Sequence, residues 1–152
     1  MADLKISRTP NKLVTLGLGS CIGICAYDPE QKIGGMAHIM LPSSLMATDK
    51  LIPAKFADTA VPKLIGDLEQ QGAARGRMTV KIVGGAHMFS VSNDSILNIG
   101  ARNIVAVEDA FDKLGMRIVA KSVGGNVGKS ITLNLEDGKV TIKAISIGEV
   151  VL

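Results

Sequence analysis

Residues 15–40 read TLGLGSCIGICAYDPEQKIGGMAHIM, and the fold turns on how this stretch doubles back. Two β-type runs flank the turn-forming DPEQ, so an antiparallel hairpin is expected. With the turn centred between Pro29 and Glu30, residues equidistant from that point pair. This sets Cys21 opposite His38 and Cys25 opposite Gly34. Directly opposed residues share a face, with Cβ atoms about 4.5–5.5 Å apart. A thiol and an imidazole at that spacing can exchange a proton, the minimal equipment for attack on a carbonyl or carboxamide. A bulge at Gly34-Gly35 would send the two to opposite faces.

Outward from the hairpin, alternation suggests strands near 12–18, 21–27 and 32–41, with LPSSLMATDKLIP following as a loop. A helix over 54–71 ends at Gly72, with Pro62 inside it predicting a kink or two short helices. MTVKIVG at 78–84 reads as a buried strand, and GGAHMFSVSND as a loop. Ile104, Val107, Ala110, Phe111 and Leu114 fall at helical spacing over 99–114, with Gly115 after them. Strands near 116–123, 129–135 and 139–147 close the chain, the last two joined through Glu136-Asp137-Gly138. Strands, helix, strand, helix, strands argue one α+β domain over residues 1–152, with mixed β-sheets layered against two main helices.

Composition narrows the classes of function. Hydrophobic residues make up 47% and aromatics 3%, so the core must be aliphatic. The net charge of +3 comes with no basic run interleaved with aromatics, which gives nucleic-acid binding no support. No apolar stretch reaches the ~18 residues of a membrane span, and MADLKISRTPNK lacks the apolar centre of a secretory signal. A cytoplasmic protein is expected. Cys21 and Cys25 lie four residues apart on one strand, roughly 13 Å at strand rise, too far for a disulfide. The two thiols and two histidines do not fall at zinc-site spacing.

Two glycine motifs fail as nucleotide sites. After Gly17 and Gly19 the third glycine of a dinucleotide fingerprint should stand where Ile22 is, and a strand follows where a helix is needed. GGNVGKS at 124–130 has Val123 where the first glycine of a phosphate loop belongs, and ITLNLEDGKV after it alternates like a strand. Both are read as turns.

Cysteine attacks as a thiolate, and a neighbouring imidazole is expected to hold its pKa below the free value of about 8.5. Small residues before Cys21 leave the backbone amides of Gly19 and Ser20 accessible as an oxyanion hole. His38 would take the thiol proton, pass it to the leaving amine and later activate water. Thr15 is a candidate to orient the imidazole. The chemistry calls for no metal or cofactor. The packing alternative is a buried thiol and a core histidine among Met36, Ala37, Ile39 and Met40. Cys25 is read as structural, and His87 in GGAHMF as a weaker alternative base.

At these residues the chain resembles the CheD family of chemoreceptor glutamine deamidases. The matching pieces are LGLGSCIGICAYD, GGMAHIMLP, KFADTAVPKLIGDL, KIVGGAHMF, IGARN and SVGGNVGKSITLNLEDGKV. Lys129 stands where that family often carries Arg, and Ala101 where it often has Glu. The resemblance implies a fold like that of cytotoxic necrotizing factor deamidases, with Cys21, His38 and Thr15 as the catalytic set. It implies hydrolysis of selected glutamines on the cytoplasmic helices of methyl-accepting receptors to glutamate, and a partner, the CheC phosphatase. An enzyme that reads a helical surface needs a shallow site with an apolar rim, for which Met40, Leu41, Pro42, Met88 and Phe89 are the candidates. Two other classes compete: a binding module without catalysis, and a thiol-dependent acyltransferase or protease using the same pair.

Overall fold

In the computed structural model, which describes residues 1–48, 52–88 and 98–152, every residue of strands β3 (Ile22–Asp28) and β4 (Ile33–Ile39) is buried. Side chains alternate between the two faces of a strand, so burial throughout requires a covering layer on each side. One layer is helical. Ile22, Ile24, Ala26, Ala37 and Ile39 pack on Leu64, Ile65 and Leu68 of α1 (Ala57–Gln70) and on Val107 and Phe111 of α2 (Ile99–Lys113). The other layer is a second sheet. Cys21, Cys25, Tyr27 and Met36 meet Leu18, Ile131, Leu133, Val140 and Ile142 across it.

The central sheet has the order β1-β4-β3-β5-β6, with β1 at Asp3–Arg8, β5 at Thr79–Gly84 and β6 at Ile118–Val123. All its pairs are antiparallel except β5–β6, whose parallel crossover carries α2. The outer sheet runs β2-β7-β8-β9, formed by Lys12–Leu18, Lys129–Asn134, Val140–Ala144 and Gly148–Val151. The result is the expected α+β class, in three layers of helices, mixed sheet and antiparallel sheet.

Both helices stop as their glycines predict. Gly72 at φ +100° and Gly115 at φ +66° take the left-handed position, and Ala73 and Met116 donate back to Leu68 and Phe111. Two expectations are corrected, and one strand was not expected. α1 is one continuous helix around Pro62, beginning at Ala57 after a separate 3₁₀ turn at Pro53–Lys55. The strand expected over 139–147 is shorter, and β9 follows it as a separate strand. β1 lay unread because it is an edge strand that turns only Leu4 and Ile6 toward the core.

The hairpin register also differs. Gly23, not Cys21, lies opposite His38, and Cys25 opposite Met36. The loop holds four residues, 29–32, with Lys32 at φ +49°, and there is no bulge at Gly34-Gly35. Asp28 is the cause. Its buried carboxylate accepts from the amides of Glu30 (2.9 Å), Gln31 (3.2 Å) and Ala74 (2.9 Å), and from Arg77 at 2.8 and 3.2 Å. The shift is two residues, which keeps every side chain on its expected face.

Burial alone would raise the Asp28 pKa, but the Arg77 guanidinium and the three amides bring it down to about 2, against 3.8 for a free carboxyl. A carboxyl depressed on folding stabilises above its unfolded value and loses that contribution as the pH falls toward the folded one. Asp28→Ala is expected to cost about 3 kcal/mol in urea unfolding at pH 7. The gap between variant and wild type should shrink between about pH 4 and pH 2; a gap constant over that range would contradict the assignment.

Candidate active site

The chain passes from the outer sheet to the central sheet at Gly19-Ser20-Cys21. The β2–β7 register breaks between Thr15 and Leu18, where Gly17 at φ +70° turns the backbone. Past that break three consecutive carbonyls are held. Gly19 O accepts from the Ala86 amide (2.8 Å), Ser20 O from Asn103 Nδ2 (2.9 Å) and Cys21 O from the Gly85 amide (2.8 Å). Gly84 permits this approach, because a Cβ there would stand 2.2 Å from Cys21 O. The Gly19 amide donates to Gly17 O at 3.0 Å, so of the two expected oxyanion donors it is already engaged. The amides of Ser20 and Cys21 reach no carbonyl among the described residues.

His38 comes from the middle layer and is 3% exposed. Its Nδ1 lies 2.7 Å from Thr15 Oγ1, a contact that crosses from one sheet to the other. Its Nε2 is buried and has no hydrogen-bond partner among the described residues. The β3–β4 ladder begins at Ile22 opposite Ile39, with Gly23 opposite His38; Cys21, just ahead of it, packs with Leu18, Met36 and Ile131 in the layer between the sheets, where His38 reaches Thr15. At Gly23 a Cβ would stand 2.7 Å from Ile131 Cδ1 and 2.9 Å from Leu18 Cδ1. A side chain at Gly23 would therefore push the two sheets apart at the site.

The electrostatics correct one expectation. Burial pushes the Cys21 thiol above its ordinary 9.0, although its own backbone N–H acts in the other direction. Burial likewise lowers the His38 pKa from 6.5, with Asp3 opposing. In a low-dielectric site the cost of forming charge exceeds what the neighbours return. Both shifts favour a neutral thiol and a neutral imidazole over thiolate and imidazolium.

Other residues singled out from the sequence fall at varying distances from this pair. Met88 is exposed and packs on the Gly19–Cys21 segment, its Cγ 3.1 Å from where a Gly19 Cβ would be. Met40 and Leu41 are half-buried at the end of β4. Pro42 lines a groove of about 410 Å³ with Ser43, Met46, Ala101, Arg102 and Val105. Phe89 lies outside the described residues. His87 is exposed, with its amide on Gly125 O at 2.8 Å. Cys25 is sealed between the sheets, where burial pushes its thiol up to about 12. Among the described residues, no three His, Cys, Asp or Glu side chains gather to hold a metal. No helix there is long and apolar enough to cross a membrane.

Sequence reasoning gave no role to Asn103. It is fully buried, and its Nδ2 donates to both Ser20 O and Met40 O at 2.9 Å, tying the segment before Cys21 to the strand that carries His38. The one available signal was a carboxamide on the inward face of an otherwise apolar helix stripe, which needs buried partners.

The chain is thus a three-layer α+β domain with a thiol and a threonine-anchored histidine between its two sheets. Residues 40–144 match the family model described as "CheD chemotactic sensory transduction". The chain belongs to the CheD family. It is 44% identical over 146 residues to the "Probable chemoreceptor glutamine deamidase CheD" of Desulforamulus reducens, covering 95% of this chain and 88% of that protein. Proteins of the same name from Clostridium botulinum (strain Eklund 17B / Type B) and Caldanaerobacter subterraneus are each 46% identical, covering 100% and 97% of this chain and 94% and 92% of theirs.

Alkylation of Cys21 by iodoacetamide should rise with pH through and above 9.0, with no plateau near neutrality. Cys25 should label only on unfolding. A Cys21 rate already saturated at pH 7 would mean a standing thiolate and contradict the neutral resting pair.

Proposed function

We propose that this protein hydrolyses selected glutamine side chains on the cytoplasmic helices of chemoreceptors to glutamate, releasing ammonia, with Cys21 as nucleophile and His38 as general base and acid. The observation that carries the reading is the 2.7 Å Thr15–His38 contact together with the buried Nε2, without a partner among the described residues, in the layer between the sheets where Cys21 packs. A base at Nε2 requires the proton on Nδ1, which then donates to Thr15 Oγ1 and fixes ring and tautomer.

Because the pair rests neutral, the thiol proton moves to His38 Nε2 as sulfur bonds to the carboxamide carbon. The carbonyl π pair shifts to oxygen, which would be met by the Ser20 and Cys21 amides, neither of which reaches a carbonyl among the described residues. The imidazolium gives its proton to the departing nitrogen and ammonia leaves a thioester. His38 then takes a proton from water, the hydroxyl adds to the thioester, and sulfur leaves and regains the proton. Glutamate and the free thiol remain. Each conversion adds one negative charge to a receptor helix and weakens packing against like charges by a few tenths of a kcal/mol per pair, roughly.

Met88, exposed and lying against Gly19, would form part of the apolar rim that recognition of a helix demands. A CheC-type phosphatase would regulate the enzyme by covering this same rim.

Cys21→Ala and His38→Ala should each cut ammonia release from a receptor fragment by at least about 10³-fold, and Thr15→Ala by about 10–100-fold. Mass spectrometry of the fragment should show glutamate in place of glutamine with the backbone intact. Continued deamidation by Cys21→Ala overturns the mechanism, and backbone cleavage or transfer to a second amine would redirect it to another acyl-transfer class. Since His38 must be neutral and its pKa is lowered, the acid limb of kcat/KM should fall below 6.5.

A further inference from the structure

Asp28, His38 and Asn103 are the buried acid, imidazole and carboxamide side chains of the described residues. Asp28 holds a turn and His38 belongs to the site, which leaves Asn103. Stability alone accounts poorly for it. Its two Nδ2 bonds are offset by a buried Oδ1 without a described partner, a group whose desolvation costs about 1–3 kcal/mol. A flip of the carboxamide would set Oδ1 against two carbonyl oxygens, so its orientation is fixed. The helix beneath is equally fixed. A Cβ at Gly100 would stand 2.6 Å from Gly85 O, so α2 meets the loop behind Cys21 backbone to backbone.

The bond to Ser20 O acts one atom further along the chain. A trans peptide is planar, so the Ser20 C=O and the Cys21 N–H point in opposite directions. Holding the oxygen toward α2 turns the Cys21 N–H away from the helix. That N–H has no described carbonyl partner and lies against its own sulfur. In the tetrahedral intermediate the negative oxygen sits on the carbon bonded to that sulfur, within reach of the same donor. A hydrogen bond to the carbonyl also polarises the peptide and strengthens its N–H as a donor.

We propose that Asn103 is a positioning residue for amide hydrolysis, whose NH₂ group, by holding the Ser20 and Met40 carbonyls, aims the Cys21 backbone N–H at the developing oxyanion. The inference rests on the reading of Cys21 as nucleophile. Attack on a carboxamide needs the oxyanion donor, whereas displacement of iodide from iodoacetamide by the same sulfur creates no oxyanion, so the two reactions separate the role from simple packing.

The near-isosteric Asn103→Leu and Asn103→Asp should lower kcat for ammonia release by about 10²–10³-fold. KM should stay within about twofold and the Cys21 alkylation rate at fixed pH within about threefold. A kcat within about threefold of wild type in a folded variant overturns the proposal, as does a parallel fall of kcat and alkylation. Cys21→Ala measured alongside separates the two failures: if it still deamidates, the nucleophile reading is wrong, whatever Asn103 does. Wild-type protein supplies a test that needs no variant. A peptide with an aldehyde in place of the glutamine carboxamide adds the Cys21 sulfur to its carbonyl, the thiol proton passing to His38. The Cys21 amide proton should then move downfield and exchange more slowly, while both Asn103 NH₂ protons are already protected in the free protein. An unmoved Cys21 amide, or Asn103 protons exchanging like those of an exposed carboxamide, overturns the proposal.

Discussion

The β3–β4 hairpin has no solvent face, and this double burial governs the rest of the molecule. Helices must cover one side and a second sheet the other, so the chain has to cross from sheet to sheet, which it does at Gly19–Cys21. A crossing of this kind leaves backbone groups outside either ladder, and they must be satisfied individually. The carbonyls of Gly19, Ser20 and Cys21 are met by the β5–α2 loop and by Asn103, while the amides of Ser20 and Cys21 reach no carbonyl among the described residues. The donors that the proposed chemistry would use are thus a by-product of layering.

Layering also fixes the electrostatics. Thr15 and His38 meet only because the outer sheet lies on the central one, and the same burial disfavours charge on both thiol and imidazole. In the proposed reaction a neutral pair would make proton transfer accompany attack instead of preceding it. Gly23 sets how closely the sheets approach, since Ile131 and Leu18 occupy the space a side chain would take.

Strand and helix periodicity made most elements legible, along with the hairpin that sets Cys21 and His38 at one end of the strand pair. The direct opposition of the two was misjudged because the turn depends on one carboxylate. Asp28 draws two loop amides, the Ala74 amide and Arg77 to itself, and the last two lie more than forty residues away. No local pattern encodes that. β9 escaped notice because all four of its residues are exposed, so it carries no inward alternation. Thr15 could be named a candidate only by its hydroxyl, its nearness in sequence and the family resemblance, because its contact joins two sheets whose stacking is invisible in one strand. Asn103 was hidden for the same reason: its partners Ser20 and Met40 are brought to it by the tertiary fold.

The concealment of Cys21 has a consequence for the protein's life in a cell that meets peroxide. Oxidation to the sulfenic acid follows thiolate fraction and access, and here burial raises the thiol pKa and leaves Cys21 9% exposed. Such a thiol is spared from oxidation, unlike the low-pKa cysteines of redox sensors. Its durability comes from the desolvation that makes it slow to ionise.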